Sequence, residues 1–279
     1  MTPVARTEQA PSATSTATTP TPKTTTTTAA ARMIALGRAE LTLLLRSKAS
    51  MVNAVILPSA VAFAMRGAVE GMDLKGTGLS VATVLLPAAL ANALFFAVYT
   101  NLVGVYVLRR EGLVLKRLRT GELRDWEILT GGALPALMLV LVQSVLLGAG
   151  MTVFLDAEAP AAWHLVVAGL LIGVAMLVAA AALTAAFTRT AESAQLTFLP
   201  FLLVTMSASG VFAPREVLPD AMADIAAWLP FSPVMDLLRG GWTGDLGATE
   251  QLRAALVALA WTAVAVYGVH RRFRWEPRH

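Results

Sequence analysis

The chain has 279 residues, 56% of them hydrophobic and 14% charged, with a formal net charge of +4 and no cysteine. Soluble domains carry about 25% charged and about 45–50% apolar residues, so at a mean hydropathy of +0.66 the expected solvent is the bilayer. The lack of cysteine excludes disulfide frameworks, thiolate zinc sites and iron–sulfur clusters, and three scattered histidines (His164, His270, His279) are a poor supply for a histidine metal site or a Ser-His-Asp triad.

Residues 1–31 are Thr- and Pro-rich, as in Thr24–Thr28. They hold too few large apolar side chains to offset ordering entropy and are expected to form a disordered cytoplasmic tail without the apolar region of a signal peptide. In residues 33–48, Ile34, Leu41 and Leu45 fall on one helical stripe among Arg38, Glu40, Arg46 and Lys48. That pattern predicts an amphipathic helix lying in the membrane interface. Apolar stretches long enough to cross a core about 30 Å thick follow at about 49–66, 79–108, 128–155, 163–188, 193–213 and 252–270. Backbone polar groups in lipid must be satisfied internally, and no alternating strand pattern is seen, so the spans are expected to be helices. Pro58, Pro87 and Pro200 are expected to kink spans one, two and five. Gly169 and Gly173 form a small-xxx-small pair in span four, where two helices can approach closely.

Charge sets the expected orientation. With six spans, seventeen of the 22 Lys and Arg fall on one side, and the positive-inside rule makes that side, with both termini, cytoplasmic. This distribution between apolar runs, rather than on one soluble domain, argues against nucleic acid as the partner of a basic chain. The predicted fold is an all-α membrane protein of six transmembrane helices, with the N-terminal interfacial helix and a re-entrant extracellular helical hairpin between spans five and six.

Two segments carry the functional information. The loop after span two runs Arg110-Glu111-Gly112, then Lys116-Arg117-Leu118-Arg119-Thr120, then Leu123 and Trp126-Glu127-Ile128. Leu113, Lys116, Arg117 and Thr120 lie three or four apart, which predicts a short helix able to dock on a soluble partner. Topology setting alone is the plainer reading of its charge. The second segment is broken by Pro and Gly: Ser209-Gly210, Pro214, Leu218-Pro219, Pro230, Pro233 and Arg239-Gly240. Its stretch between Pro219 and Leu229 is too short to cross and is expected to belong to the extracellular hairpin.

In order and position, both segments resemble ATP-binding-cassette (ABC) type-2 exporter permeases over about residues 33–274, although Lys116 and Gly121 stand where many members have glutamate and proline. The resemblance implies a transport subunit rather than an enzyme. It also implies a separate ABC nucleotide-binding subunit that uses ATP and Mg, and a second permease copy, the same or related. Glu111, Gly112, Lys116–Thr120, Leu123, Trp126 and Glu127 would then form the element that couples to the ATPase. Consistent with this, no Gly-x-x-x-x-Gly-Lys-Ser/Thr phosphate cradle is present, so no cofactor is expected on this chain.

Spans two, three and five contain no Asp, Glu, Lys or Arg. That suits an apolar or amphipathic cargo (a drug or antibiotic, a lipid or a hydrophobic peptide) and disfavours an ion-coupled secondary carrier, which places ionisable groups in the membrane. Drug and antibiotic efflux stands first by resemblance. Asn92, Asn101 and Gln195 are candidates for the substrate pathway, although interhelical hydrogen bonding is their default role. A membrane scaffold or enzyme using Asp156, Glu158 and His164 as an acid–base set is the remaining alternative. Ala-, Leu- and Arg-rich, Lys-poor usage suggests a bacterial plasma membrane.

Overall fold

The computed structural model describes residues 34–35, 38–39, 42, 46, 60–61, 63–71, 79–120, 124–155, 158–211, 219–273 and 275. The expected tail, and all but a few residues of the expected interfacial helix and first span, lie outside these. The rest is helical: α1 (Val81–Glu111), α2 (Val114–Arg119), α3 (Asp125–Gly131), α4 (Leu134–Leu155), α5 (Trp163–Phe187), α6 (Ala191–Thr197), α7 (Leu199–Ala208), α8 (Asp220–Ala227), α9 (Ser232–Thr243) and α10 (Ala248–Arg272). Among the described residues, four helices are long and apolar enough to cross a membrane, or five if the bent pair α8–α9 counts as one crossing.

α1 begins where Ser80 and Thr83 exchange hydrogen bonds, Ser80 N–H donating to Thr83 Oγ1 at 2.8 Å and Thr83 N–H to Ser80 Oγ at 3.2 Å. This reciprocal cap satisfies two of the amides that a helix start leaves open. α1 is the most buried crossing, at 78% of its apolar window, whereas α10 is the least, at 17%. α1 is therefore the axis of the bundle and α10 presents most of its surface outward. Leu252, Leu256, Leu259 and Val266 on α10 are exposed, as expected of a side chain whose solvent is lipid.

Two expected continuous spans are divided. The third comprises α3 and α4, separated at residues 132–133, with Pro135 in the first turn of α4. Proline fits there because the first helical amides have no intrahelical partner. The fifth is divided at Phe198 into α6 and α7, with Pro200 in the first turn of α7. Pro87 lies inside α1 without a helix break. The irregularity of α1 comes later, as one π-helical turn at Phe95–Thr100.

That turn carries the centre of the core. Phe95 meets Phe231 with ring centroids 4.6 Å apart, and Tyr99 meets Phe201 at 5.0 Å. Tyr99 Oη also lies 3.0 Å from Thr184 Oγ1 on α5. One turn of α1 thereby joins α5, α7 and the elbow before α9. Edge and offset ring contacts of this kind are worth about 0.5–1.5 kcal/mol each beyond the area they bury.

α9 lies across α5 because α5 is small-sided there. A Cβ on Gly169 would sit 3.1–3.2 Å from Leu237 and Leu238, and one on Gly173 would sit 3.0 Å from Leu94 and Val234. The glycine pair of span four is thus a close-approach surface for both α9 and α1. The tightest point is on α9 itself. A Cβ on Gly241 would meet Val166 Cγ2 at 2.5 Å and the Val166 backbone nitrogen at 2.9 Å, beside an Ala162 N–H to Gly241 carbonyl bond of 2.9 Å.

Gly241→Ala is expected to destabilise the protein by about 1–3 kcal/mol, because backbone must move to admit the methyl group. Gly268→Ala meets mainly the flexible end of Leu183 and should lose less. Scanning fluorimetry of both variants in detergent checks the order.

Candidate functional site

The site is the α1–α3 elbow and the turn beside it. It is built on Arg110, which is fully buried. Its guanidinium donates from Nη1 to the Ala185 carbonyl at 2.8 Å, and from Nη2 to the carbonyls of Thr188 and, at 3.2 Å, Arg189. Those carbonyls end α5, where the last turn has no intrahelical donors and the helix dipole places negative charge. The next residue completes the grip. Glu111 Oε1 accepts from the Ala191 N–H at the start of α6, at 3.2 Å, where the dipole is positive. Two consecutive side chains at the end of α1 thus hold the C-terminus of one helix and the N-terminus of the next.

After Gly112 the chain turns through Leu113, the one non-glycine residue with positive φ among the described residues, at 58°. Gly112 itself has φ −74°, and a Cβ there would meet nothing closer than 3.5 Å, so nothing in its local geometry requires glycine. α2 follows, anchored by buried Leu115, while Leu113, Lys116, Arg117 and Thr120 are all exposed. The expected three-and-four spacing therefore lies on one open face, with Leu118 half-buried at its edge. Arg119 Nε contacts Asp125 Oδ1 at 3.1 Å, and the guanidinium carbon lies 5.1 Å from the Trp275 ring centroid.

The α3 side of the elbow is held from within. Glu127 is fully buried and its Oε2 accepts the Arg124 N–H at 2.8 Å. Tyr106 Oη on α1 donates to the Leu129 carbonyl at 2.7 Å. Trp126 is half exposed. Leu123 lies outside the described residues.

The hairpin residues divide between buried and exposed positions. α8 and α9 meet at 99°. Pro230 stands in the elbow, Pro233 is in the first turn of α9, and Ser232 Oγ donates to the Ala226 carbonyl across the bend. Arg239, which the charge count leaves on the outer side, is 92% buried and donates from Nη2 to the Gly210 carbonyl at 3.0 Å, with Gly210 at φ 76°. Gly240 and Ser209 are buried, Pro219 is exposed before α8, and Pro214 and Leu218 lie outside the described residues. The exposed stripe Met222, Ile225 and Trp228 on α8 is matched by a Trp261 Nε1 to Trp228 carbonyl bond of 2.9 Å that ties the elbow to α10.

The three pathway candidates are not brought together. Asn92 is buried, its Nδ2 donating to the Ala88 carbonyl at 3.0 Å and contacting Met65 Sδ at 3.3 Å. Asn101 donates to the Ala97 carbonyl at 3.4 Å, about 14 Å further along α1 at 1.5 Å per residue. Gln195 is exposed on α6. Sequence reading missed Thr205, which is buried with Ser209 one turn away on α7; neither hydroxyl has a hydrogen-bond partner among the described residues. Glu158 and His164 are both exposed, and no cluster of three metal-ligating side chains occurs among the described residues.

Helices long and apolar enough to cross a membrane, with an exposed basic elbow held to their ends, are the architecture of a membrane-spanning protein. The family model for ABC-2 type transporters matches residues 31–242, and the chain belongs to this family as a membrane-spanning permease. Comparison with curated proteins gives no match.

Arg110→Leu should cost at least ~2 kcal/mol, because buried carbonyls lose charged donors, and should speed proteolysis at the 188–191 turn. Arg119→Gln, at a half-exposed pair, should change stability by less than ~1 kcal/mol. Thermal midpoints and limited proteolysis of the two variants read this contrast.

Proposed function

We propose that this chain is the permease subunit of an ATP-driven ABC exporter. In this reading it moves an apolar or amphipathic cargo outward across a bacterial plasma membrane, with both termini cytoplasmic, while a separate ABC subunit hydrolyses Mg-ATP and a second permease copy completes the pathway. Permeases of this family usually work with such an ATPase subunit. A drug, an antibiotic, a lipid and a hydrophobic peptide all belong to the cargo class that spans without charge admit.

The observation that carries the reading is the elbow. α2 offers Lys116, Arg117 and Thr120 on an open face, and its root is fixed through Arg110 and Glu111 to the ends of α5 and α6. A partner that closes on ATP and binds one position of α2 more tightly than another shifts the helices attached to it. This differential affinity is what coupling requires. The pathway would then run between permease copies, since the three polar candidates in one copy do not converge.

Replacing both Lys116 and Arg117 by Glu should weaken co-purification of the ATPase at least tenfold, about 1.4 kcal/mol. Stability should stay within about 0.5 kcal/mol, as for other exposed substitutions. Unchanged ATPase capture and unchanged transport would remove α2 from the coupling role. Proton-driven transport by the purified chain alone would favour a secondary carrier instead.

A further inference from the structure

On the side of the bundle that carries the elbow, α10 packs closely along α5, whereas α3 meets α5 only lightly, and a recess opens where the three come together. Ala175, Ala179 and Ala182 lie at i, i+4 and i+7 on α5, one face of a helix, and their short side chains leave a recess of about 240 Å³. Val266, Val269 and Phe273 form the wall from α10 and the chain beyond it, and Trp126 and Leu129 form the wall from α3. The floor is therefore wholly apolar. The rim is different in kind: Asp125, Thr130, His270 and Trp275 stand around it.

The rim itself carries one carboxylate, Asp125, and the cations stand just outside it. Asp125 is held by Arg119 Nε. Arg119 also lies near Trp275, its guanidinium carbon 5.1 Å from the ring centroid. Arg271 lies over the Tyr267 ring at 5.4 Å and Arg272 is exposed beside it, both one or two residues from His270. Two tryptophans flank the opening, the residue type enriched where hydrocarbon meets headgroups. Basic pockets between spans on the cytoplasmic side bind anionic headgroups. At about 240 Å³ the recess takes part of a hydrocarbon chain rather than a whole drug-sized molecule, whose sites run to about 300–1,000 Å³.

We propose that this recess seats part of one acyl chain of an anionic phospholipid, with its headgroup phosphate against Arg119 and His270 in the field of Arg271 and Arg272. The lipid is a resident ligand, not cargo. It fills the recess where α3 meets α5 and α10 and, through Arg119, touches the last residue of α2. Lipid retention concerns the chain alone. Only the effect on ATPase stimulation rests on the exporter reading, so failure of one is distinguishable from failure of the other.

The test is native mass spectrometry of the full chain in mild detergent, with phosphatidylglycerol or phosphatidylcholine added to the micelles. The unaltered chain should retain one phosphatidylglycerol in preference to phosphatidylcholine. Ala179→Phe, which fills the recess, should lower retention of both lipids at least tenfold. Ala175→Leu, at an exposed position of the mouth, does the same job if the first variant fails to fold. Arg119→Gln should abolish the preference while leaving phosphatidylcholine retention unchanged. Equal retention of the two lipids by the unaltered chain, or retention unmoved by both recess-filling variants, overturns the proposal. So does a recess-filling variant that loses stimulation of the ATPase by hydrophobic drugs while keeping its lipid, because the recess then belongs to cargo.

Discussion

A helix that ends inside or at the edge of a bilayer leaves its last carbonyls without donors, and no water is at hand to replace them. The arrangement at the end of this bundle that carries the elbow follows from how that constraint is met. Arg110 is wholly buried, which for a lone charge would cost several kcal/mol. The cost is offset because its partners are the carbonyls that close α5, where the helix dipole favours a cation. Glu111 meets the complementary need at the start of α6. The sharp reversal between α5 and α6 therefore depends on α1, an element some 75–80 residues earlier in the chain. Because α2 starts three residues after Glu111, whatever moves the elbow bears directly on this joint.

The opposite end of the bundle is organised by close approach rather than by charge. Gly169 and Gly173 let α9 and α1 rest on α5, and Gly241 lets α9 rest on the α5 backbone. α9 is too short to cross by itself. With α8 it makes a 99° bend that is stitched by Ser232 to Ala226 and by Trp228 to Trp261. Arg239 is the charged member of this set. Its bond to Gly210 fastens α9 to the end of α7.

Much of this was legible from charge-free runs. α1, α5 and α10 lie within a few residues of the expected second, fourth and sixth spans, because lipid-facing and core-facing positions are both apolar and the run ends where charge resumes. The divisions of spans three and five were not legible from hydropathy, which does not fall at Gly132 or Phe198. The cues were Gly131-Gly132 at the first break and the prolines two or three residues after each, and Pro87 shows that a proline also occurs in an unbroken helix. The roles of Arg110 and Arg239 were not legible either. In the sequence Arg110 is one of a pair with Arg109, and both count equally toward topology. What singles it out is the set of carbonyls from another helix, which only the fold brings near. Asn92 reads as polar in an apolar run, and its partners one turn back on its own helix and at Met65 fit the ordinary explanation better than a pathway does.

The π-helical turn at Phe95–Thr100 has a consequence for the elbow. A π turn holds one more residue than an α turn, and one residue is about 100° of azimuth on an α-helix. Every side chain of α1 beyond Thr100 is therefore rotated by that amount relative to the frame set by Val81–Leu94. Tyr106 and Arg110 point inward, to Leu129 and to the end of α5, only because of this phase shift. The aromatic cluster around Phe95 and Tyr99 thus acts as the gear tooth that sets the heading of the elbow from the middle of α1.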